Sequence, residues 1–193
     1  MKINIAGFVE DSIVDGPGLR TTLFVQGCPH NCKGCHNAQT HAFGEGQDKT
    51  VEELYEMIKT SSSSKLVTFS GGEPFCQAEG LSLLGEKLKS DGFSIAVYSG
   101  YTFEQLIKAN SPHINKLLSI CDILIDGKFI LEQKSLEVRF RGSKNQRILN
   151  LKESLRLKMA VETTDSAWIG GEKFDAFAPR KINYGFSKLS HIN

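Results

Sequence analysis

Four short runs of apolar and β-branched residues set the plan of this chain: TTLFVQG (21–27), KLVTFS (65–70), FSIAVYS (93–99) and CDILIDG (121–127). Each reads as a strand. The stretches between them carry helical signatures. TVEELYEMIKT opens with Thr50 and Glu53 in capping-box spacing, and TFEQLIKAN repeats the pattern with Thr102 and Gln105. Residues 77–90 place Leu81, Leu84 and Leu88 at helical intervals, and a further short helix is expected around 112–119. An earlier strand, KINIAGF (2–8), precedes DSIVDGPGLR, whose Gly16, Pro17 and Gly18 mark a turn. Strands alternating with helices imply a parallel sheet with helices packed outside. A closed barrel of eight such units takes about 250 residues. A chain of 193 residues is too short for that. The expected fold is therefore α/β, a partial (β/α) barrel with a mostly parallel open sheet. Functional loops gather at the carboxyl ends of such strands, so the loops after residues 27, 70 and 127 should share one rim.

The first of those loops is CPHNCKGCHN (28–37), with Cys28, Cys32 and Cys35 spaced C-x3-C-x2-C. Three chemistries need thiols this close. Structural zinc takes four ligands, and His30, His36 or His41 could join the three cysteines. A redox pair in CKGC would use Cys32 and Cys35 and leave Cys28 unexplained. An iron–sulfur cubane normally takes four thiolates; three leave one iron open, and an open metal position is where substrate binds. The second rim loop is SGGEP (70–74). Paired glycines let backbone approach a ligand and expose amides, and Glu73 offers a carboxylate to an ammonium group. A zinc knuckle gives no reason for that loop, whereas a cluster that binds an amino-acid-like cofactor does.

Bulk properties exclude some classes. The net charge of +1 gives no overall pull toward nucleic acid or anionic membrane. No apolar run reaches spanning length, and MKINIAGFVEDS lacks the long apolar core of a signal peptide. A cytoplasmic, reducing compartment is expected, and five cysteines, an odd count, argue against a disulfide framework.

Taken together, the C-x3-C-x2-C loop after an early strand and GGEP after the next resemble the radical S-adenosylmethionine (SAM) superfamily. Within it, the chain resembles the activating proteins of anaerobic ribonucleoside-triphosphate reductase. The matching stretches are SIVDGPGLRTTLFVQGCPHNCKGCHNAQTH (12–41), SGGEPF (70–75), YSGYTFEQL (98–106), DILIDGKF (122–129) and FRGSKNQRI (140–148). Pyruvate formate-lyase-type activating enzymes share VDGPG, the cysteine loop and CHN. The closing FRGSKNQR and the shorter chain favour the reductase activators.

The resemblance implies a radical SAM type of partial barrel and a [4Fe-4S] cluster on Cys28, Cys32 and Cys35. The fourth iron would be chelated by SAM. It implies reductive cleavage of SAM to a 5′-deoxyadenosyl radical that takes hydrogen from a glycine of the reductase's large subunit, with flavodoxin as the electron donor. It implies a SAM site formed by Gly34, Cys35, His36, Gly71, Gly72, Glu73, Asp126 and Lys128. No catalytic residue beyond these ligands is expected, and neither nucleic acid nor membrane is an expected partner. Asp15, Cys76 and the basic run Arg139, Arg141, Lys144 and Arg147 have no role fixed by sequence. Residues 1–158 form the expected activase domain, and 159–193 a C-terminal extension without an assigned role. The remaining competitor of a different class is a non-catalytic zinc module with three cysteines and one histidine.

Overall fold

A computed structural model describes residues 1–170. Seven strands form one open sheet in the order β3-β1-β2-β4-β5-β6-β7: β1 (Lys2–Ser12), β2 (Arg20–Val25), β3 (Gln47–Thr50), β4 (Leu66–Gly71), β5 (Ser94–Tyr98), β6 (Ile123–Asp126) and β7 (Arg147–Asn150). The central strands β2, β4, β5 and β6 pair in parallel. β1 runs antiparallel to both its neighbours, and β7 runs antiparallel to β6. Five strands therefore point one way and two the other.

The helices are α1 (Val51–Ser61), α2 (Ala78–Ser90), α3 (Phe103–Ala109), α4 (Pro112–Ile120), α5 (Leu151–Leu157) and α6 (Ser166–Ile169). Both expected capping boxes are formed, at Thr50 with Glu53 and at Thr102 with Gln105. Asn110 in the left-handed conformation ends α3, and Pro112 opens α4 at a position where its missing N–H costs nothing.

The structure corrects the sequence reading at its two edges. The strand expected over 2–8 runs on to Ser12 and returns as an antiparallel hairpin through the 13–19 turn, because an antiparallel return needs only a turn where a parallel one needs a crossover. β3, QDKT, is a polar edge strand with no apolar alternation to betray it. β7, RILN, begins inside the closing stretch FRGSKNQRI and runs two residues past it.

Side chains alternate between two faces of the sheet. Leu23, Val25, Val67, Phe69, Ile95, Val97, Leu124 and Leu149 pack under the helices with Leu54, Leu81, Leu106 and Leu117 in the main core. The opposite face carries Arg20, Thr22, Thr68, Ala96, Tyr98, Ile125 and Ile148, a mixture of polar, small and apolar groups. Phe69 is fully buried in the middle of the main core. Phe69→Ala should lose about 3–5 kcal/mol, read as a lower urea midpoint of the metal-free protein with the slope unchanged.

Candidate functional site

The cysteine loop begins where β2 ends and is closed at its base by backbone. Gly27 N–H donates to Thr40 O (2.8 Å) and Cys28 N–H to His41 O (2.9 Å), which brings the two ends of the loop side by side. Gln26 reinforces the closure through Nε2 to Ala42 O (2.7 Å). Within the loop, Cys35 N–H donates to Cys32 O (3.2 Å). Gly34 takes a positive φ of 73° that a side-chain-bearing residue would adopt only with strain.

Cys28, Cys32 and Cys35 all line one cavity of about 600 Å³. The same cavity is lined by His36, Gly71 and Gly72, and by Asp15, Tyr98, Ser99, Gly127, Phe140 and Arg141 from other loops. The three rim loops expected from sequence are therefore brought to one place. Asn37 N–H reaches Cys35 Sγ at 3.4 Å, and the backbone at His30 and at Phe129 favours the thiolates of Cys28 and Cys32. As bare thiols, burial pushes Cys28 up to about 12 and raises Cys32 from its ordinary range, the latter also through the neighbouring Cys35. A bound metal reverses that balance, because coordination deprotonates a thiol outright.

Among the described residues, no three His, Cys, Asp or Glu side chains stand close enough together to hold one metal ion. A tetrahedral zinc needs all its ligands about 2.0–2.3 Å from a single point. A cubane cluster instead spreads its thiolates over separate irons. Three sulfurs around one cavity are the donor set that a [4Fe-4S] cluster with one open iron would use. His30, a candidate fourth zinc ligand, is committed elsewhere, and the ring of His36 lies against Phe129 with centroids 5.0 Å apart.

The GGEP loop does different work from that expected. Glu73 is fully buried. Its carboxylate accepts from His30 Nε2 (2.7 Å), Gly100 N–H (2.8 Å), Ser99 Oγ (3.0 Å) and Phe75 N–H (3.1 Å). Those donors come from three loops, so Glu73 is a structural hub of the rim. The amides of the loop are also used: Gly72 N–H donates to Val25 O (2.8 Å) and Glu73 N–H to Gly27 O (2.9 Å). A Cβ on Gly72 would lie 2.3 Å from Gly27 O, so glycine is required there for backbone to pack on backbone. Gly71 and Gly72 still face the cavity, but as its wall.

Asp126 also departs from expectation. It is fully buried, accepts from Phe103 N–H (2.7 Å) at the start of α3, and pairs with Arg147 (Nε to Oδ1, 2.9 Å). Burial behind that pair keeps it off the cavity wall. Arg147 reaches on to Glu104 Oε2 at 2.8 Å. Lys128 is not among the lining residues, although its charge is felt at Cys32. Gly34 is likewise outside the lining and packs beside Leu131. The basic run does not form one patch. Arg147 is bound to Asp126 and Glu104, Lys144 stands 4.0 Å from Glu137, Arg139 lies against Gly170, and Arg141 lines the cavity.

Sequence reasoning missed His30 as an anchor, together with Ser99 and Gly100. The available signal was positional: His30 sits between two of the cysteines, and the YSGY stretch follows a strand as GGEP does. FRGSKNQR acts as a strap. Gln146 accepts from Gly142 N–H (2.7 Å) and donates to Gly127 O (2.9 Å), while Asn145 donates to Lys128 O (2.8 Å). The turn after β6 is thereby tied to residues 140–146.

Residues 14–149 match the family model of the 4Fe-4S single cluster domain. The chain is 35% identical over 142 residues to the anaerobic ribonucleoside-triphosphate reductase-activating protein of Vibrio cholerae, covering 69% of this chain and 89% of that one. It is 34% identical over 158 residues to the protein of the same name from Haemophilus influenzae, covering 78% and 99%. With the Escherichia coli protein of that name it shares 31% over 148 residues, covering 72% and 94%. Among solved structures, QueE from Escherichia coli aligns with a TM-score of 0.46 at 22% identity, over 53% of this chain and 54% of that one.

Removal of the Glu73 carboxylate should unfasten the rim. Glu73→Ala leaves His30 and the Gly100 amide without their acceptor and should cost about 3 kcal/mol. The variant should also retain less iron after reconstitution than Glu73→Gln, which keeps an acceptor oxygen. Thermal melting and iron analysis of the two variants side by side check this.

Proposed function

The chain belongs to the family of anaerobic ribonucleoside-triphosphate reductase-activating proteins, and from that membership we infer that it is a radical SAM activase acting on such a reductase. The observation that carries the reading is the convergence of Cys28, Cys32 and Cys35 on one cavity walled by Gly71, Gly72 and the turn at Gly127. The three cysteines would hold the [4Fe-4S] cluster. A bound cluster would supply the electron for reductive cleavage of SAM to methionine and a 5′-deoxyadenosyl radical, which would take hydrogen from a glycine of the reductase.

The chain's own residues prepare the site for that chemistry. The backbone at His30 and Phe129 offsets part of the burial that disfavours the thiolates of Cys28 and Cys32, and Asn37 N–H orients Cys35. His36, beside Phe129 at the cavity edge, is positioned to flank the cofactor. Asp15 lines the cavity with its carboxylate held by Ser12 Oγ (2.5 Å) and Thr22 Oγ1 (3.1 Å), so its position is set before any ligand arrives. Lys128 acts on the site through its charge at Cys32. Gly34 acts through the loop shape that it permits.

The finer architecture belongs to the same reading: a partial (β/α) barrel of radical SAM type, with the cavity on the sheet face away from the main core. Residues 1–158 would be the activase domain and 159–193 an extension, of which 171–193 lie outside the described residues. The large reductase subunit would be the protein substrate, flavodoxin the reductant and the cytoplasm the compartment. Among the described residues no helix is long and apolar enough to cross a membrane. The names of the curated relatives favour the reductase over pyruvate formate-lyase as the target.

Anaerobically prepared protein should carry about four irons per chain. Its dithionite-reduced EPR signal should change on adding SAM, and the mixture should generate a glycyl radical on the reductase. Cys28→Ser, Cys32→Ser and Cys35→Ser should each bring radical yield below detection. Stoichiometric zinc with no iron uptake and no response to SAM would overturn the reading.

A further inference from the structure

The second face of the sheet holds a feature that the activase reading does not use. Past β7 the chain runs back along that strand: Asn150 N–H donates to Val161 O (2.9 Å) and Thr163 N–H to Ile148 O (2.8 Å). Asp165 then caps α6 by accepting from Ala167 N–H (2.9 Å), and α6 turns Trp168 onto the sheet. Trp168 is the chain's only tryptophan. It is 5% exposed and packs on Ala96, Ile125 and Ile148.

Its indole touches two of the loops that border the cavity. On one side it meets the 13–19 turn: a Cβ on Gly16 would stand 2.8 Å from Trp168 Cη2. On the other it packs edge-to-face on Phe140, with ring centroids 5.5 Å apart. The Arg20 guanidinium lies over the ring at 5.4 Å and is itself fixed by Thr68 Oγ1 (2.7 Å) and Val67 O (2.6 Å). Asp15 and Phe140, next to or in contact with these points, both line the cavity, as does Tyr98, which donates to Phe140 O at 2.8 Å. The cysteine loop is fastened by a separate set of bonds, to Thr40, His41 and Glu73. The same two loops present the most exposed apolar groups near the cavity, Val14 at 72% and Leu136 at 96%, to anything as large as a protein that reaches in.

We propose that Trp168 is a positioning residue: a wedge behind the cavity that sets the spacing of the 13–19 and 134–142 loops and so governs engagement of the glycine-bearing segment of the reductase. The inference rests on the activase reading. Trp168 lies past the family model, which ends at residue 149. Edge-to-face aromatic contact and the stacked guanidinium are both directional, so loss of the ring frees both loops at once.

The test uses the full chain with reconstituted cluster and its reductase. Trp168→Ala should raise KM for the reductase about tenfold while kcat moves less than about threefold, since small misplacement of a binding surface acts on engagement before chemistry. Trp168→Phe, which keeps an aromatic wedge, should restore KM to within about threefold of the parent. As the only tryptophan, Trp168 should also change its emission when the parent protein is titrated with a tryptophan-free peptide carrying the reductase's glycine segment. An unmoved KM in Trp168→Ala, or an emission that saturating peptide does not change, overturns the proposal. If Trp168→Ala does not fold or load iron, the emission titration of the parent decides alone. A parent protein that loads its cluster yet makes no glycyl radical would sink the activase reading itself. A parent that makes the radical with a KM indifferent to Trp168 would sink only this inference.

Discussion

The rim of this protein depends on one buried carboxylate. Glu73 is sealed from solvent, where an unpaired charge would be prohibitive. It is tolerable there because four donors surround it, and those donors come from three separate loops. His30 brings the cysteine loop, Ser99 and Gly100 bring the turn after β5, and Phe75 N–H closes the GGEP loop on itself. Hydrogen bonds to a charge in a low-dielectric setting are strong. Each loop therefore holds the others, and the cysteines are presented in a fixed frame before any cofactor binds. The His30 ring also packs edge-on against Tyr101 at 4.4 Å, so the anchor is held by shape as well as by charge.

Around that hub the sheet divides its labour between faces. The helix-facing side is apolar and supplies stability. The other side keeps Thr22, Thr68 and Ser70 among small or aromatic groups, which is what a ligand cavity needs and what a core would not tolerate. The edge of the parallel set is secured by a second buried charge, Asp126. It caps α3, pairs with Arg147 of the antiparallel edge strand, and through Arg147 reaches Glu104. Both acidic residues at strand ends thus join elements together and stay off the cavity wall.

The main strands and helices were legible because their signals are local. β-branched runs, capping boxes and leucine spacing act within a few residues, and the structure keeps them. The shared rim was legible too, since it follows from parallel topology. What escaped was set by distance in sequence. QDKT becomes a strand only because the first strand lies beside it, and no pattern within four polar residues announces that. Glu73 was read as an acceptor for an ammonium group, and Asp126 as a contact implied by the family resemblance. Their burial is decided by His30, Ser99, Gly100 and Arg147, all more than 20 residues away.

The same reasoning explains why the glycines of the GGEP loop matter more for what they omit than for what they bind. Gly72 sits with its α-carbon against the carbonyl of Gly27, and its amide is already committed to Val25. Any side chain there would push the end of β4 away from the base of the cysteine loop. The bond from Glu73 N–H to Gly27 O would then be lost, and with it the register between hub and loop. Motif residues in this rim act mainly by holding backbones at contact distance, and the cavity is the space left between them. Its chemistry comes from the three sulfurs, and its shape comes from carboxylate, glycine and an aromatic wedge that touch no sulfur.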